Sequence, residues 1–402
     1  MDTLTRNAQV ASGYLFVIPW DVHELGGVSQ AVLNLYRELG TLGWASSVLV
    51  SDWSALTPVL DSTGTAPVFR WRVRSPWSRH RAISSMVAFL ASLPRTAWTW
   101  RNLARRHDWR IVNVHYPSAS ALTWIALKRS RLWKGKVVIS VHGREVRDAL
   151  HEGDRIERRL MRLVMEEADA IVACSNDLAN DVLELAPSAR NHLLTIPNGA
   201  TKEALLSEFD RAFVLPAGLA SRRFILNVAT FEHKKAQDVL IEAFVPIAAK
   251  RTEVDLVLVG RSTPWVEEIR RQVAASGVGS RVHIFTDVPH RHVLTFLSRA
   301  TVFCLPSRSE GHPLAILEAA TFGLPVVATP VGGIPQTIPD DTYGLLVPAA
   351  NAPALTEALG RIIDDERLAR SLGQSLQRLV ESQFSWTTAA RRYSELAHRL
   401  LG

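Results

Sequence analysis

Cysteine is almost missing from this sequence: Cys174 and Cys304 are the only two in 402 residues. Each sits in an apolar stretch that reads as a strand, so no disulfide framework is available and a reducing, cytoplasmic setting is expected. Long apolar runs are missing too. The longest, such as MVAFLASLP, fall well short of the roughly 18 residues of a membrane span. The opening MDTLTRNAQV has no signal-peptide core. These absences predict a cytoplasmic protein, peripheral at most to the inner face of a membrane. No short-period repeat or low-complexity tract occurs. Acidic residues are nearly absent from 70 to 136, where fifteen Lys or Arg face Asp108 alone. The same stretch holds seven of the twelve tryptophans: Trp71, Trp77, Trp98, Trp100, Trp109, Trp124 and Trp133. Basic residues interleaved with Trp suit an anionic membrane surface, an anionic acceptor or nucleic acid. The plainer alternative is a solvated basic face with its tryptophans in the core.

What is present is a chain of 402 residues with 47% hydrophobic composition, enough for two domains with separate cores. YLFVIPW, ASSVLVS, IVNVHYP, KVVISVHG, DAIVACS and HLLTIPNG read as strands of a first unit. FILNVAT, VDLVLVG, VHIFTDV, TVFCLPS, PVVATP and YGLLVP read as strands of a second. Helical stretches such as VSQAVLNLYRELG and QDVLIEAFVPIAAK lie between them. Apolar strands alternating with helices predict parallel sheets covered on both faces, hence two doubly wound α/β domains. The expected division is 1–200, 201–385 and a closing helix, 386–402, that crosses back to the first domain. The irregular stretch Ala200 to Arg223 is the candidate linker.

The stretch SRSEGHPLAILEAATFGLPVV, residues 307 to 327, is the most pointed. Pro313 suits a first helical turn and Gly323 a left-handed stop, which predicts a helix over 313–322 between two strands. Glu310 and Gly311 then occupy the loop above a strand's carboxyl end, where open α/β sheets bind ligands. Eight helical residues would separate Glu310 from Glu318 by about 12 Å of rise and roughly 80° of rotation, so they are not a close acid pair. A glycosidase, with two carboxylates flanking one bond, is disfavoured. The amides of Gly311, His312 and Leu314 can face a phosphate or sugar oxygens, whereas Pro313 has no N–H to give. Glu318 can accept from ribose hydroxyls, with a surface salt bridge as the alternative. Gly332 and Gly333 add another glycine-bearing loop on the same edge.

Four further positions invite chemistry. Gly26 and Gly27 precede a helix after the first strand, allowing close backbone approach and an anion at the helix amino end, or simply a tight turn. His142, before Gly143, ends one strand, and His115 ends the preceding one; each is a site histidine or a loop histidine. Lys234 and Lys235 lie between a strand and a helix, suited to neutralising phosphate or to being solvated.

Taken together, these segments resemble the retaining GT-B glycosyltransferases of family four, the glycosyl transferases of group 1, along nearly the whole chain. EGHPLAILEAATFGLPVVAT is similar to that family's E-x7-E element, with Glu310 and Glu318 as its acids. KKAQDVLIEAF resembles its donor-phosphate segment, and GGV and VHG resemble its amino-terminal loop and active-site histidine. GGIPQTI, YGLLVP and IPNG fall where the family has related segments. The resemblance implies the GT-B fold, two Rossmann-like doubly wound domains facing a central cleft. It implies transfer of a sugar from a nucleotide-diphosphate donor to a hydroxyl of a glycan or lipid-linked acceptor, as in polysaccharide biosynthesis, with retention at the anomeric carbon and neither metal nor other cofactor. By the same similarity His142 and Glu310 are the catalytic pair. Glu318 binds the ribose, Lys235 the diphosphate, Glu310 and the amides after it the donor sugar, and Gly27 approaches the phosphates from the first domain.

The sequence departs from the family pattern at Ala229 and Thr230, where Gly-Arg is usual, and at Ala236, where a glycine is usual. One phosphate-binding cation is thereby missing, and Lys234 is the candidate substitute. PNG is followed by Ala200 and Thr201 instead of Val-Asp, and Gln336 stands where glutamate is common. Two other readings stay open at this level: a membrane- or nucleic-acid-binding protein with a vestigial nucleotide pocket, and a GT-B epimerase acting on the nucleotide sugar itself. Of the partners, an anionic membrane reached through 70–136 is preferred to nucleic acid.

Overall fold

The computed structural model describes residues 12–402 apart from 23, 25, 63, 65, 79 and 80. The reading of the first ten residues, and Arg79 of the basic stretch, lie outside the described residues.

The first lobe is built on an eight-stranded sheet: β1 (Gly13–Ile18), β2 (Ala45–Ser51), β3 (Val59–Asp61), β4 (Val68–Trp71), β5 (Trp109–His115), β6 (Lys136–Val141), β7 (Ala170–Ala173) and β8 (Leu193–Thr195). Their spatial order is β3-β4-β2-β1-β5-β6-β7-β8. All neighbours are parallel except β3 and β4. Val17 of β1 stands between Leu49 of β2 and Val114 of β5, and every residue of β1 is buried, as a strand covered by helices on both faces requires. The second lobe has six strands: β9 (Arg223–Val228), β10 (Val254–Gly260), β11 (Val282–Thr286), β12 (Val302–Leu305), β13 (Val326–Ala328) and β14 (Leu345–Leu346), in the order β11-β10-β9-β12-β13-β14, parallel throughout. Two doubly wound lobes face a cleft, as the resemblance implies.

In such sheets the strand order reverses at one point, and the loops leaving the two flanking strands diverge to open a crevice. In the first lobe that point lies between β1 and β5. In the second it lies between β9 and β12, which brings the loop of Lys235 beside the loop of Glu310. This placement follows from connectivity rather than from any local signal.

Two sequence expectations need correction, and one open choice is decided. First, β3 and β4 were not foreseen, because VFRW belongs to the basic stretch read as a surface feature. Second, of the two readings of that stretch, the one that puts its tryptophans in the core holds for most of them: Trp71, Trp100, Trp109, Trp124 and Trp133 are buried. Trp100 packs on Trp109, Trp124 and Trp133 at ring distances of 5.4, 4.7 and 5.3 Å. Indole rings of this size gain more from burial than any other side chain, so on strand (Trp71, Trp109), helix (Trp100, Trp124) and loop (Trp133) alike they take the inward side. Of the seven, Trp77 is half-buried and Trp98, at 69% exposure, stands clear of the protein. Third, the supposed linker is part of the second lobe. It forms the helices Lys202–Glu208 and Ala217–Ala220 and buries Leu205, Leu215 and Leu219 against Phe224 and Leu226.

The last helix, Trp386–Leu401, starts where the Ser385 hydroxyl accepts from the Thr388 amide at 3.1 Å. Its buried face, with Trp386, Ala389, Ala390, Tyr393 and Ala397 at helical spacing, shares a core with Tyr14, Phe16 and Val32 of the first lobe. Tyr393 and Ser140 pair their hydroxyls at 3.1 Å, and Trp44 Nε1 donates to Ser394 Oγ at 2.9 Å. The chain end therefore stitches the two lobes together.

Candidate active site

Between the lobes lies a cavity of about 1050 Å³, lined by Gly26, Gly27, His142, Lys234, Lys235, Glu310 to Leu314 and Glu318; His115, Gly332 and Gly333, also singled out from the sequence, stand behind its wall. From the first lobe, the helix Gly27–Thr41 presents its amino end. A Cβ added at Gly27 would lie 3.7 Å from Leu314 Cδ1, so this end directly faces the second lobe's helix Leu314–Thr321. Pro313 caps that second helix in extended conformation (ψ 116°) rather than beginning it, and Gly323 closes it at φ 71°. Two helix amino ends thus converge on one space, each carrying unpaired N–H groups suited to anions.

His142 leaves β6 beside Gly143 (φ 136°), a conformation that glycine supplies without strain. Its Nε2 meets Nδ1 of His115 at 3.0 Å. Burial pushes His142 down to about 4, and burial, with repulsion from His142 in its protonated form, pushes His115 well below its ordinary value. Both rings are therefore neutral at pH 7. The turn itself is held by Glu145, whose carboxylate accepts from the amides of His142 and Gly143. Burial pushes the Glu145 carboxyl up to about 7, against those amide bonds. The sequence reading passed over Glu145, although an acid three residues after a strand-ending histidine is a reach-back signal. Cys174 and Cys304 are buried with their thiols pushed up by burial, so neither is a nucleophile.

From the second lobe, Lys235 Nζ lies 2.7 and 2.8 Å from the two oxygens of Glu310, and Ser307 Oγ donates to Glu310 at 2.6 Å. The lysine expected on the diphosphate and the acid expected on the sugar thus hold each other. Lys234 is engaged by Glu232 at 3.0 Å, and Arg261, at the end of neighbouring β10, is a further cation lining the cavity near Thr230. Ala236 adopts φ 54°, the left-handed geometry for which the resembling family uses glycine, so the loop keeps its path despite the substitution. Glu318 is buried and hydrogen-bonds His290 at 3.0 Å. Glu310 and Glu318 therefore have separate cations.

The lobes touch closely here. A Cβ on Gly311 would fall 2.0 Å from the His142 carbonyl oxygen. Gly333 donates to the Gly311 carbonyl at 2.6 Å, with Gly332 at φ 60° beside it. Arg147 of the first lobe donates to Ser309 Oγ at 2.8 Å and to the Glu310 carbonyl at 2.7 Å, while Asp177 and Asp181 hold its other nitrogens. Asn198 donates to the His312 carbonyl and Gln336 accepts from the Asn176 amide, both at 2.9 Å. His312 is itself buried, pushed down to about 4, with Nε2 at Thr337. Arg147 and His290 were missed from the sequence. Asp177 and Asp181, four apart on one helix, could have suggested a cation; no local signal marks His290.

Two families match the chain in succession: Glycosyltransferase Family 4 over residues 25–203 and Glycosyl transferases group 1 over residues 217–378. Among characterised proteins, the chain is 26% identical to the GDP-mannose-dependent alpha-(1-6)-phosphatidylinositol monomannoside mannosyltransferase of Mycolicibacterium smegmatis, over 79% of this chain and 84% of that one. It is 27% identical to the D-inositol 3-phosphate glycosyltransferase of Xylanimonas cellulosilytica, over 96% and 95%. Among solved structures, sucrose-phosphate synthase from Thermosynechococcus elongatus superposes with a TM-score of 0.76 at 22% identity, covering 97% of this chain and 99% of that one. Anabaena HepE in complex with UDP-glucose superposes with a TM-score of 0.73 at 16% identity, covering 96% and 99%.

Proposed function

This chain belongs to the family 4, group 1 glycosyltransferases, and from that premise we propose that it takes a nucleotide-diphosphate sugar into the cleft and passes the sugar, with retention and without a metal, to a hydroxyl of a glycan or lipid-linked acceptor. One observation carries the reading: Lys235, Glu310 and Glu318, read from separate stretches of sequence, share one cavity with two opposed helix amino ends. In transfer, the bond from the anomeric carbon to the diphosphate breaks and the acceptor oxygen bonds on the same face. The hydroxyl proton leaves with the departing phosphate. Negative charge grows on that phosphate, so a fixed lysine and aligned N–H dipoles lower the barrier without reorganising. Neutral His142 offers the sugar a hydrogen bond without adding charge. Phosphatidylinositol monomannoside, the acceptor named for one relative, is lipid-borne and supports the lipid-linked reading.

The test is a panel of UDP, GDP and ADP sugars. The true donor at a hundred times its Kd stabilises the fold by about 2.7 kcal/mol, read as a thermal shift. Stabilisation by none of them overturns the reading. Conversion of the sugar without any acceptor favours an epimerase instead.

A membrane contact on the acceptor side is supported by the helix Ala82–Arg106. It exposes Ile83, Val87, Leu90 and Trp98 along a stripe of roughly 80° that ends in Arg101 and Arg105. Among the described residues no helix is long and apolar enough to cross a membrane, so this contact would lie in the interface. The protein is expected to sediment with anionic vesicles at low salt. Val87→Glu with Leu90→Glu is expected to cut the bound fraction about tenfold or more, since each apolar side chain contributes on the order of 1.5–3 kcal/mol when buried. Sedimentation unchanged by that pair would remove the helix from the contact.

A further inference from the structure

We infer that His290 is a positioning residue: pinned between Glu208 and Glu318, it fixes the orientation of the Glu318 carboxylate so that the enzyme reads the ribose hydroxyls of its donor. The inference rests on the proposed ribose role of Glu318.

Glu318 sits in an apolar helix, flanked by Leu317 and Ala319, both fully buried. A carboxylate there has little to orient it. Among the described residues its one hydrogen-bond partner is Nε2 of His290, at 3.0 Å from Oε1, leaving Oε2 for the cavity that Glu318 lines. The other ring nitrogen, Nδ1, lies 3.1 Å from Oε2 of Glu208. A carboxylate oxygen only accepts, so both ring nitrogens must carry protons and the ring is an imidazolium. Burial opposes that charge, but the two carboxylates outweigh it and raise His290 to about 10. A ring held at both ends cannot rotate, and neither can the oxygen it grips.

The same chain of contacts reaches the first lobe. The second oxygen of Glu208 takes Arg37 Nη1 at 2.8 Å, and Arg37 lies on the helix Gly27–Thr41, whose amino end bounds the cavity. Reading of the ribose is thus tied to the approach of the lobes. Arg37 and Glu208 are partly solvated, so this outer link is weaker than the inner one.

The experiment pairs UDP, GDP and ADP with their 2′,3′-dideoxy counterparts in calorimetric titrations of the full chain. The wild type is expected to prefer the ribonucleotide of its own base by about 10- to 100-fold, the range for a hydrogen bond to a charged group. In His290→Ala this preference falls to within about threefold and the donor KM rises about tenfold, while kcat stays within about threefold. His290→Gln, whose amide reaches the Nε2 position, restores most of the preference. His290→Asn, which reaches only the Nδ1 position, does not. Preference retained in His290→Ala overturns the inference, as does equal rescue by Gln and Asn. Glu318→Ala separates the two claims. If it too keeps the preference, or if none of the three nucleotides binds the wild type, the ribose reading itself falls. If it loses the preference while His290→Ala keeps it, only the positioning role falls.

Discussion

Lys235→Ala is expected to lower sugar transfer by about 10²–10³-fold, the usual loss when one preorganised charge is removed from a developing anion. Its consequences should differ from those of Glu310→Ala in a way that identifies each role. Glu310 is 6% exposed at its side chain and paired to Lys235 at 2.7 Å. Removing the lysine leaves a buried carboxylate held by Ser307 without a countercharge. Breaking a buried pair this way costs about 3–5 kcal/mol, so Lys235→Ala should melt well below the wild type and bind nucleoside diphosphate weakly. Glu310→Ala instead releases Lys235 for the phosphates. Nucleoside diphosphate binding should hold or tighten while transfer is still lost, because the sugar has lost its carboxylate. The double variant should recover part of the thermal stability that Lys235→Ala loses. Melting curves, titration with nucleoside diphosphate and turnover separate these outcomes. Equal loss of nucleotide binding in both single variants would show that Lys235 does not engage the diphosphate. Salt-dependent polynucleotide binding untouched by either change would favour the nucleic-acid reading instead.

Gly311→Ala is the second large effect. Its new methyl carbon would sit 2.0 Å from the His142 carbonyl oxygen, far inside contact distance, and 3.3 Å from Cys174 Sγ. Neither neighbour is a flexible side-chain end, so the 309–312 loop must retreat from the first lobe. Retreat strips Arg147 of its bonds to Ser309 and the Glu310 carbonyl and moves Glu310 away from His142. A displacement of about 1 Å at reacting groups costs on the order of 10²-fold, and that loss in kcat is expected with far-UV circular dichroism unchanged. Gly40→Ala, on a helix with nothing within 4 Å of the added carbon, is the matched control and should leave turnover as it is. Full activity in Gly311→Ala would mean that transfer does not need the close approach seen between the lobes.

These contrasts show where the sequence is informative. The loop with Glu310, the helix with Glu318 and its glycine stop were legible because strand, turn and helix signals are local and agree. The helix came out as Leu314–Thr321, one residue shorter at each end than expected. The basic, Trp-rich stretch left two readings open because composition cannot say which way an indole points. Five of its seven rings turned inward, and the exposed apolar ridge of the helix Ala82–Arg106 went unnoticed. The histidine at 115 looked weak alone and gained meaning only as the partner of His142.

From the chain alone came two doubly wound lobes, the glycine-bearing loops at their strand ends and the placing of Glu310 in a loop and Glu318 on the helix after it, since periodicity and turn chemistry act over a few residues. Folding alone decided which charges meet: Lys235 with Glu310 across 75 residues, His290 with Glu208 across 82, Arg147 with Ser309 across 162. Those pairings depend on strand order and on how one lobe leans upon the other, and electrostatic attraction falls off with distance in space, not with separation along the chain.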